Sequence, residues 1–288
     1  MKIPELYQHK KPVYSFEIFP PKKTDNIEKI YSTVDGLAHL EPDFISVTFG
    51  AGGQTKDTLT GEIASNIKNK FGIESMAHLT CINSTKEQVR TVLKDLDDKG
   101  IENIMALRGD INEETGPLGE YHHSNELAIE VQKIDDKIQI MGACYPEGHY
   151  ESDSLDEDIE NLKYKIGAGV RGLITQLFFD NDKFYEFLDK ARAAGIDVPI
   201  SAGIMPITNK RQIERTVALS GSSLPKEFTN MIARYEDDPD GLFDAGIDYA
   251  VDQIRDLIEH DVDGIHLYTM NNPRVAAEVT EKIQDLLA

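Results

Sequence analysis

The 288-residue sequence has no tryptophan and only two cysteines, Cys81 and Cys144. Both cysteines lie in apolar, strand-like segments, and two thiols cannot form a disulfide framework for so long a chain. They are expected to be reduced and buried, in a reducing compartment. No run approaches the roughly 18 apolar residues that a membrane-spanning helix needs. The opening M-K-I-P-E-L-Y-Q-H-K has no apolar segment of signal-peptide length, so a cytoplasmic protein is expected. No Pro/Gly/Ser-rich linker interrupts the chain. Its length would permit two domains, but one domain over residues 1–288 is preferred. Basic residues are scarce, with 30 Lys and Arg against 51 Asp and Glu and a formal charge of −21. Such a surface repels nucleic acid and anionic lipid at long range, although a local basic pocket could still hold a phosphate. The acidic run from Glu151 to Glu160 reads as a solvated helix start, because acids favour a helix N-terminus. Two phosphate-binding signatures are also missing: G-x-G-x-x-G after the first strand, and G-x-x-x-x-G-K-[ST] anywhere.

What the chain does contain is an alternation of short β-rich runs with longer helical periodicity, the pattern of a parallel α/β protein. Strands are expected at Tyr14–Ile18, Phe44–Thr48, Ser75–Thr80, Asn103–Leu107, Gln139–Cys144, Gly172–Leu177, Val198–Gly203 and Gly264–Tyr268. Apolar stripes at helical spacing lie between them, such as Ile27, Ile30, Val34 and Leu37, or Leu155, Ile159, Leu162 and Ile166. Ser84-x-x-Glu87 and Ser154-x-x-Glu157 read as capping boxes. Strand–helix units in this number and at this length predict a single (β/α)8 TIM barrel. A helix near Lys226–Tyr235 is extra, inserted before the last full helix and the last strand. A doubly wound open sheet is the competing fold, since pattern alone does not show closure.

In such a barrel the active site lies at the C-terminal strand ends. Read in order, those ends offer Glu17, Thr48, His78 with Thr80, Arg108-Gly109-Asp110, Tyr145, Gln176 and Tyr268. A carboxyl closing a buried first strand is desolvated, which raises its pKa and suits Glu17 to donate a proton. An exposed Glu, or one paired with a lysine, is the plain alternative. Arg108 could grip a phosphate, Gly109 admits close backbone approach, and Asp110 could accept from a ring N–H, yet the same three residues also suit a simple turn. Thr48 precedes F-G-A-G-G, either a ligand-lining loop or an ordinary turn. His78 sits on an apolar strand where a core histidine is the simpler reading, and no partner at ligand spacing supports a metal site. Asp158, Asn161 and Lys165 share one helix face at the border of the Leu155–Ile166 stripe. They could lean over the barrel mouth or form a solvated face.

The blocks S-F-E-I-F-P-P-K, I-S-V-T-F-G-A-G-G, A-H-L-T-C, A-L-R-G-D, I-T-Q-L-F-F-D and G-I-M-P-I resemble those of methylenetetrahydrofolate reductases, in the family's order and spacing. The resemblance runs through nearly the whole chain. It implies a barrel that holds non-covalent FAD and reduces 5,10-methylenetetrahydrofolate to 5-methyltetrahydrofolate with NADH or NADPH, in ping-pong fashion, supplying methyl groups for methionine synthesis. By position, Glu17 matches the catalytic acid, and Asp110 is expected near the flavin's pyrimidine side, where it acts on flavin and folate. Thr48, His78, Leu107, Arg108, Gly109, Asp110, Tyr145, Asp158, Asn161 and Lys165 match positions around FAD. Gln176 matches a folate contact, and so does Gln212, unless Asn209-x-x-Gln212 only caps a helix. The pattern changes at Tyr164, where some members carry arginine, and at Thr216, where some carry phenylalanine. It changes again at Arg274, in a segment of altered spacing. Partners are expected to be small molecules and further copies of the chain in a homo-oligomer, without nucleic acid or membrane. The long regulatory extension of eukaryotic members is not expected, nor is allosteric control through one. Another flavin or phosphate-binding barrel, such as the proline dehydrogenase type, and a flavoprotein fed by a partner protein are the remaining alternatives.

Overall fold

A computed structural model describes residues 2–21, 27–49, 59–111, 116–117, 119–213, 216 and 221–287. Its eight strands are β1 (Val13–Ile18), β2 (Phe44–Val47), β3 (Glu74–Thr80), β4 (Asn103–Leu107), β5 (Gln139–Cys144), β6 (Val170–Thr175), β7 (Ile200–Ile204) and β8 (Gly264–Tyr268). They pair in sequence order and in parallel, and β8 pairs with β1 to close the ring. The open-sheet alternative is therefore excluded. A short α1 (Ile3–Leu6) precedes the barrel, and α2 (Ile27–Ala38), α3 (Leu59–Phe71), α4 (Lys86–Asp98), α5 (Ser124–Ile134), α6 (Leu155–Gly167) and α7 (Asn181–Ala193) follow β1 to β6. The extra helix expected near Lys226 is present as α8 (Lys226–Arg234), before α9 (Pro239–Glu259), β8 and α10 (Pro273–Ile283).

The apolar stripes face inward as their spacing requires. Ile30, Val34 and Leu37 of α2 and Ile159 and Leu162 of α6 are buried against the outer strand surface. Inside the barrel, Val13, Phe44, Met76, Met105, Met141 and Ile174 form one apolar cluster, joined by Ile3 at its N-terminal end. Helix α1 closes that end, and the Ile3 amide donates to Asn103 Oδ1 at 2.9 Å. Apolar side chains plug that end, and the cavity that admits a ligand opens at the C-terminal ends of the strands.

Two strands are displaced from expectation. β6 covers Val170–Thr175, not Gly172–Leu177, because Phe178 and Phe179 are buried in clusters beyond the strand. β7 begins at Ile200 and not Val198; Pro199, with no N–H to offer a ladder, stands just before it. The cap of α4 also falls one residue later than expected. Thr85, not Ser84, accepts from the Gln88 amide at 3.2 Å, while Gln88 Oε1 accepts from the Thr85 amide at 2.7 Å. The Ser84 hydroxyl instead donates to the Thr80 carbonyl at 3.1 Å, fixing the turn after β3. Thr85→Ala is expected to lower stability by about 1 kcal/mol, read by chemical denaturation. Ser154 caps α6 by accepting from the Glu157 amide at 3.2 Å, while Glu157 Oε2 accepts from the Asp153 amide and not that of Ser154. Among the described residues no helix is long and apolar enough to cross a membrane.

Candidate active site

Glu17 lies at the mouth of the barrel with its side chain 20% exposed, between two histidines. Its Oε2 is 3.5 Å from His78 Nε2 on β3 and 3.6 Å from His266 Nε2 on β8. The His266 ring is fully buried, with Nδ1 2.7 Å from Ser15 Oγ and Nε2 3.3 Å from Ser46 Oγ. Its faces are held by Phe44, stacked at 5.8 Å between centroids, and by the edge of Tyr268 at 5.5 Å. Burial pushes the Glu17 carboxyl up, but hydrogen bonding to His266 and the proximity of both imidazoles outweigh it, so the net shift is downward. This corrects the expectation of a raised pKa: desolvation is present, and the nearby strands β3 and β8 supply basic groups that reverse it. Burial lowers the pKa of His78, against the pull of Glu17. His78 Nε2 is buried without a hydrogen-bond partner, so the ring is not the self-satisfied core histidine of the simpler reading.

Around Glu17 opens a cavity of ≈ 400 Å³ whose wall includes Thr48, His78, Leu107, Arg108, Gly109, Asp110, Tyr145, Gln176 and Tyr268. The strand ends read from the sequence therefore meet in one place. Gly109 has φ +86°, and a Cβ there would come within 3.0 Å of the Thr80 Cβ, so both backbone and space call for glycine. The Gln176 side chain accepts from the Leu177 amide at 2.9 Å, which turns its amide group toward the loop after β6. Tyr268 donates to the Thr175 carbonyl at 2.7 Å, and burial raises its pKa well above the ordinary value. The glycine loop after Phe49 lies outside the described residues.

A second cavity of ≈ 570 Å³ adjoins the first, sharing Leu107, Arg108, Ala143, Tyr145 and His149, so that the two form one elongated crevice. Its outer wall is the face of α6 carrying Asp158, Asn161, Tyr164 and Lys165, opposite Ser124 and Asn125 at the start of α5. Lys165 Nζ donates to the Ala143 carbonyl at 2.9 Å and stands 5.8 Å from the Tyr145 ring centroid. Burial pushes this ammonium down against the pull of Asp158, and it pushes the Asp158 carboxyl up against the pull of Lys165 and His149. The acidic run is thus only partly a solvated helix start: Asp158 is 4% exposed, and Glu151 pairs with Arg108. Arg108 also donates to the Tyr150 hydroxyl at 3.0 Å.

Some positions reach neither cavity. Gln212 accepts from the Thr208 amide at 2.8 Å and from Asn209 Nδ2 at 3.0 Å, the capping arrangement left open from its sequence. Arg274 pairs with Glu278 at 2.8 Å and covers the Phe243 ring at 4.2 Å. Thr216 is buried away from both cavity walls. Conversely, His149 and His266 escaped the sequence reading. His149 follows Tyr145 by four positions, and the rings meet edge to face at 4.7 Å, a spacing that could have drawn notice. Nothing local marks His266, whose partners lie on β1 and β2.

Comparison with known proteins joins this geometry to a family. A family model described as methylenetetrahydrofolate reductase matches residues 2–284. The 5,10-methylenetetrahydrofolate reductase of Pectobacterium carotovorum is 37% identical over 262 residues, covering 91% of this chain and 87% of that protein. The chain belongs to the methylenetetrahydrofolate reductase family. Membership makes it an enzyme of the class that reduces methylenetetrahydrofolate. The 5,10-methylenetetrahydrofolate reductase of Escherichia coli is 35% identical over the same shares of both chains. Methylenetetrahydrofolate reductase 1 of Schizosaccharomyces pombe is 35% identical over 98% of this chain but only 48% of its own length. A solved structure of an uncharacterised Clostridium thermocellum protein, described as binding two copies of 5-methyl-5,6,7,8-tetrahydrofolic acid, aligns with a TM-score of 0.73. It does so over 99% of both chains at 15% identity, a likeness of fold alone.

Proposed function

We propose that the chain reduces 5,10-methylenetetrahydrofolate to 5-methyltetrahydrofolate with NADH or NADPH, using non-covalently bound FAD. The observation that carries this reading is the two-lobed crevice, with a titratable glutamate in one lobe and a half-buried lysine in the other. The crevice fits a dinucleotide on three counts. It is elongated; Lys165 is a half-buried cation that donates to a carbonyl and not to a carboxylate; and His78 offers a ring nitrogen without a hydrogen bond in the wall. Lys165, Asn161 and the start of α5 would hold the diphosphate and ribose portion, and Arg108, Gly109 and Asp110 the ring portion. FAD supplies the ability to accept a hydride from one substrate and give it to another.

The chain's own residues bind, orient and protonate. Opening the folate's imidazolidine ring needs a proton on the departing nitrogen, and Glu17 is the acid at the cavity floor. Asp110 on the rim and Gln176 on the wall would accept from and donate to the folate's pterin. Nucleotide and folate would occupy the cavity of ≈ 400 Å³ beside Glu17 in turn. The test is NAD(P)H oxidation by the purified protein with and without methylenetetrahydrofolate, with the product identified. Oxidation that depends on the folate and yields 5-methyltetrahydrofolate is expected. Turnover of proline, or none with either nucleotide, would reject the reading.

A further inference from the structure

We propose that Arg108, Tyr150 and Glu151 form a latch across the neck of the crevice, which must open for a ligand spanning both lobes to enter or leave. This rests on the reading of the crevice as a dinucleotide site and adds a control on how fast that ligand is exchanged.

The two cavities meet at Leu107, Arg108, Ala143, Tyr145 and His149, which line both. Leu107 and Ala143 belong to β4 and β5, so the base of the neck is a pair of neighbouring strand ends. Arg108 follows directly on β4, and Tyr150 and Glu151 lie in the loop between β5 and α6. The guanidinium reaches from its strand end to that loop. It donates through Nη1 to Glu151 Oε2 and through Nη2 to the Tyr150 hydroxyl at 3.0 Å. Tyr150 lines the lobe beside Glu17 and Glu151 the lobe beside Lys165, so these contacts stand where the lobes join. A ligand with one end in each lobe has to pass this point, and parting the three side chains is a step in its arrival and departure.

The loop is anchored at its root and exposed at its tip. The His149 amide donates to Asp158 Oδ2 at 3.2 Å, and the Gly148 amide donates to the Tyr145 carbonyl at 3.0 Å. Asp158 is a buried residue of α6, so the backbone at His149 is tied to the wall of the barrel. Tyr150, by contrast, is 80% exposed, and its ring rests on that of His149 with centroids 4.5 Å apart. Glu151 is exposed as well. Opening therefore requires rotation of exposed side chains and no displacement of the loop backbone. Each contact is modest by itself, because an ion pair with one partner in water is screened. Two bonds from one guanidinium together hold the latch closed for most of the time while leaving it able to open.

The test measures FAD association with the apoprotein and FAD release from the loaded protein, both by flavin fluorescence in stopped flow. The full chain, Glu151→Gln and Tyr150→Phe are compared, with the thermal midpoint recorded for each. Glutamine keeps the length of Glu151 and removes its charge. Phenylalanine keeps the ring on His149 and removes only the hydroxyl that accepts from Arg108. In Glu151→Gln both rates are expected to rise by about fivefold, the weight of one such ion pair, with the dissociation constant little changed. Tyr150→Phe is expected to raise both by about twofold, the lower end for one hydrogen bond. It alters no charge, so it separates a latch from simple repulsion of an anionic ligand, and it also serves if Glu151→Gln does not fold. Faster association alone, confined to Glu151→Gln, would mean that the carboxylate only repels the ligand and would overturn the latch. Faster release alone, or unchanged rates in the folded variants, would overturn it too. Failure of the unmodified chain to bind FAD would instead overturn the reading on which this proposal rests.

Discussion

Glu17→Gln is expected to remain folded and to bind its cofactor while folate reduction falls by roughly 10²–10⁴-fold, the usual cost of losing a general acid. Glutamine preserves the size of the side chain and much of its hydrogen bonding to Ser46 and His266, but it has no proton to give. The departing nitrogen of the folate ring is the only atom in the proposed chemistry that requires one. Hydride donation by a nicotinamide nucleotide requires none, so nucleotide-dependent reduction of an artificial acceptor should survive the change. The two activities are to be measured on the same preparation. Equal losses in both would mean that Glu17 maintains the shape of the cavity and does not protonate the substrate.

Lys165→Ala is expected to weaken FAD by about 1.5–3 kcal/mol, roughly ten- to a hundredfold, because one charge-assisted contact to the diphosphate is lost. The ammonium is half-buried, and burial holds it beneath its ordinary pKa. An anionic ligand would therefore find a cation that is already partly withdrawn from water. The alanine variant should also bind FAD with a weaker dependence on salt. Titration of the apoprotein by flavin fluorescence reads the affinity directly. An unchanged dissociation constant would return the α6 face to a merely solvated role.

The barrel was legible because its signals are local. Each strand is a short apolar run, each helix shows its stripe, and the polar residues at strand ends converge once the ring closes. Where the sequence misled, the cause was a competing local signal or a distant partner. Leu177 prolonged the expected β6 two residues past its end at Thr175, and Ser84 and Thr85 offered overlapping caps of which the backbone uses the second. The ionisation of Glu17 could not be read locally. Its immediate neighbours Phe16 and Ile18 argue for desolvation, while the groups that reverse the shift, His78 and His266, stand on other strands. Gln212 shows the converse, a position suggested by resemblance whose own neighbours, Thr208 and Asn209, explain it as a cap.

The most direct measurement is the visible spectrum of the purified protein, followed without oxygen through addition of NADH or NADPH and then of methylenetetrahydrofolate. A yellow absorbance is expected that fades with at least one nucleotide and returns with the folate, with 5-methyltetrahydrofolate formed in matching amount. A folded protein without flavin, or a flavin absorbance that neither nucleotide bleaches and the folate does not restore, would contradict the proposed function.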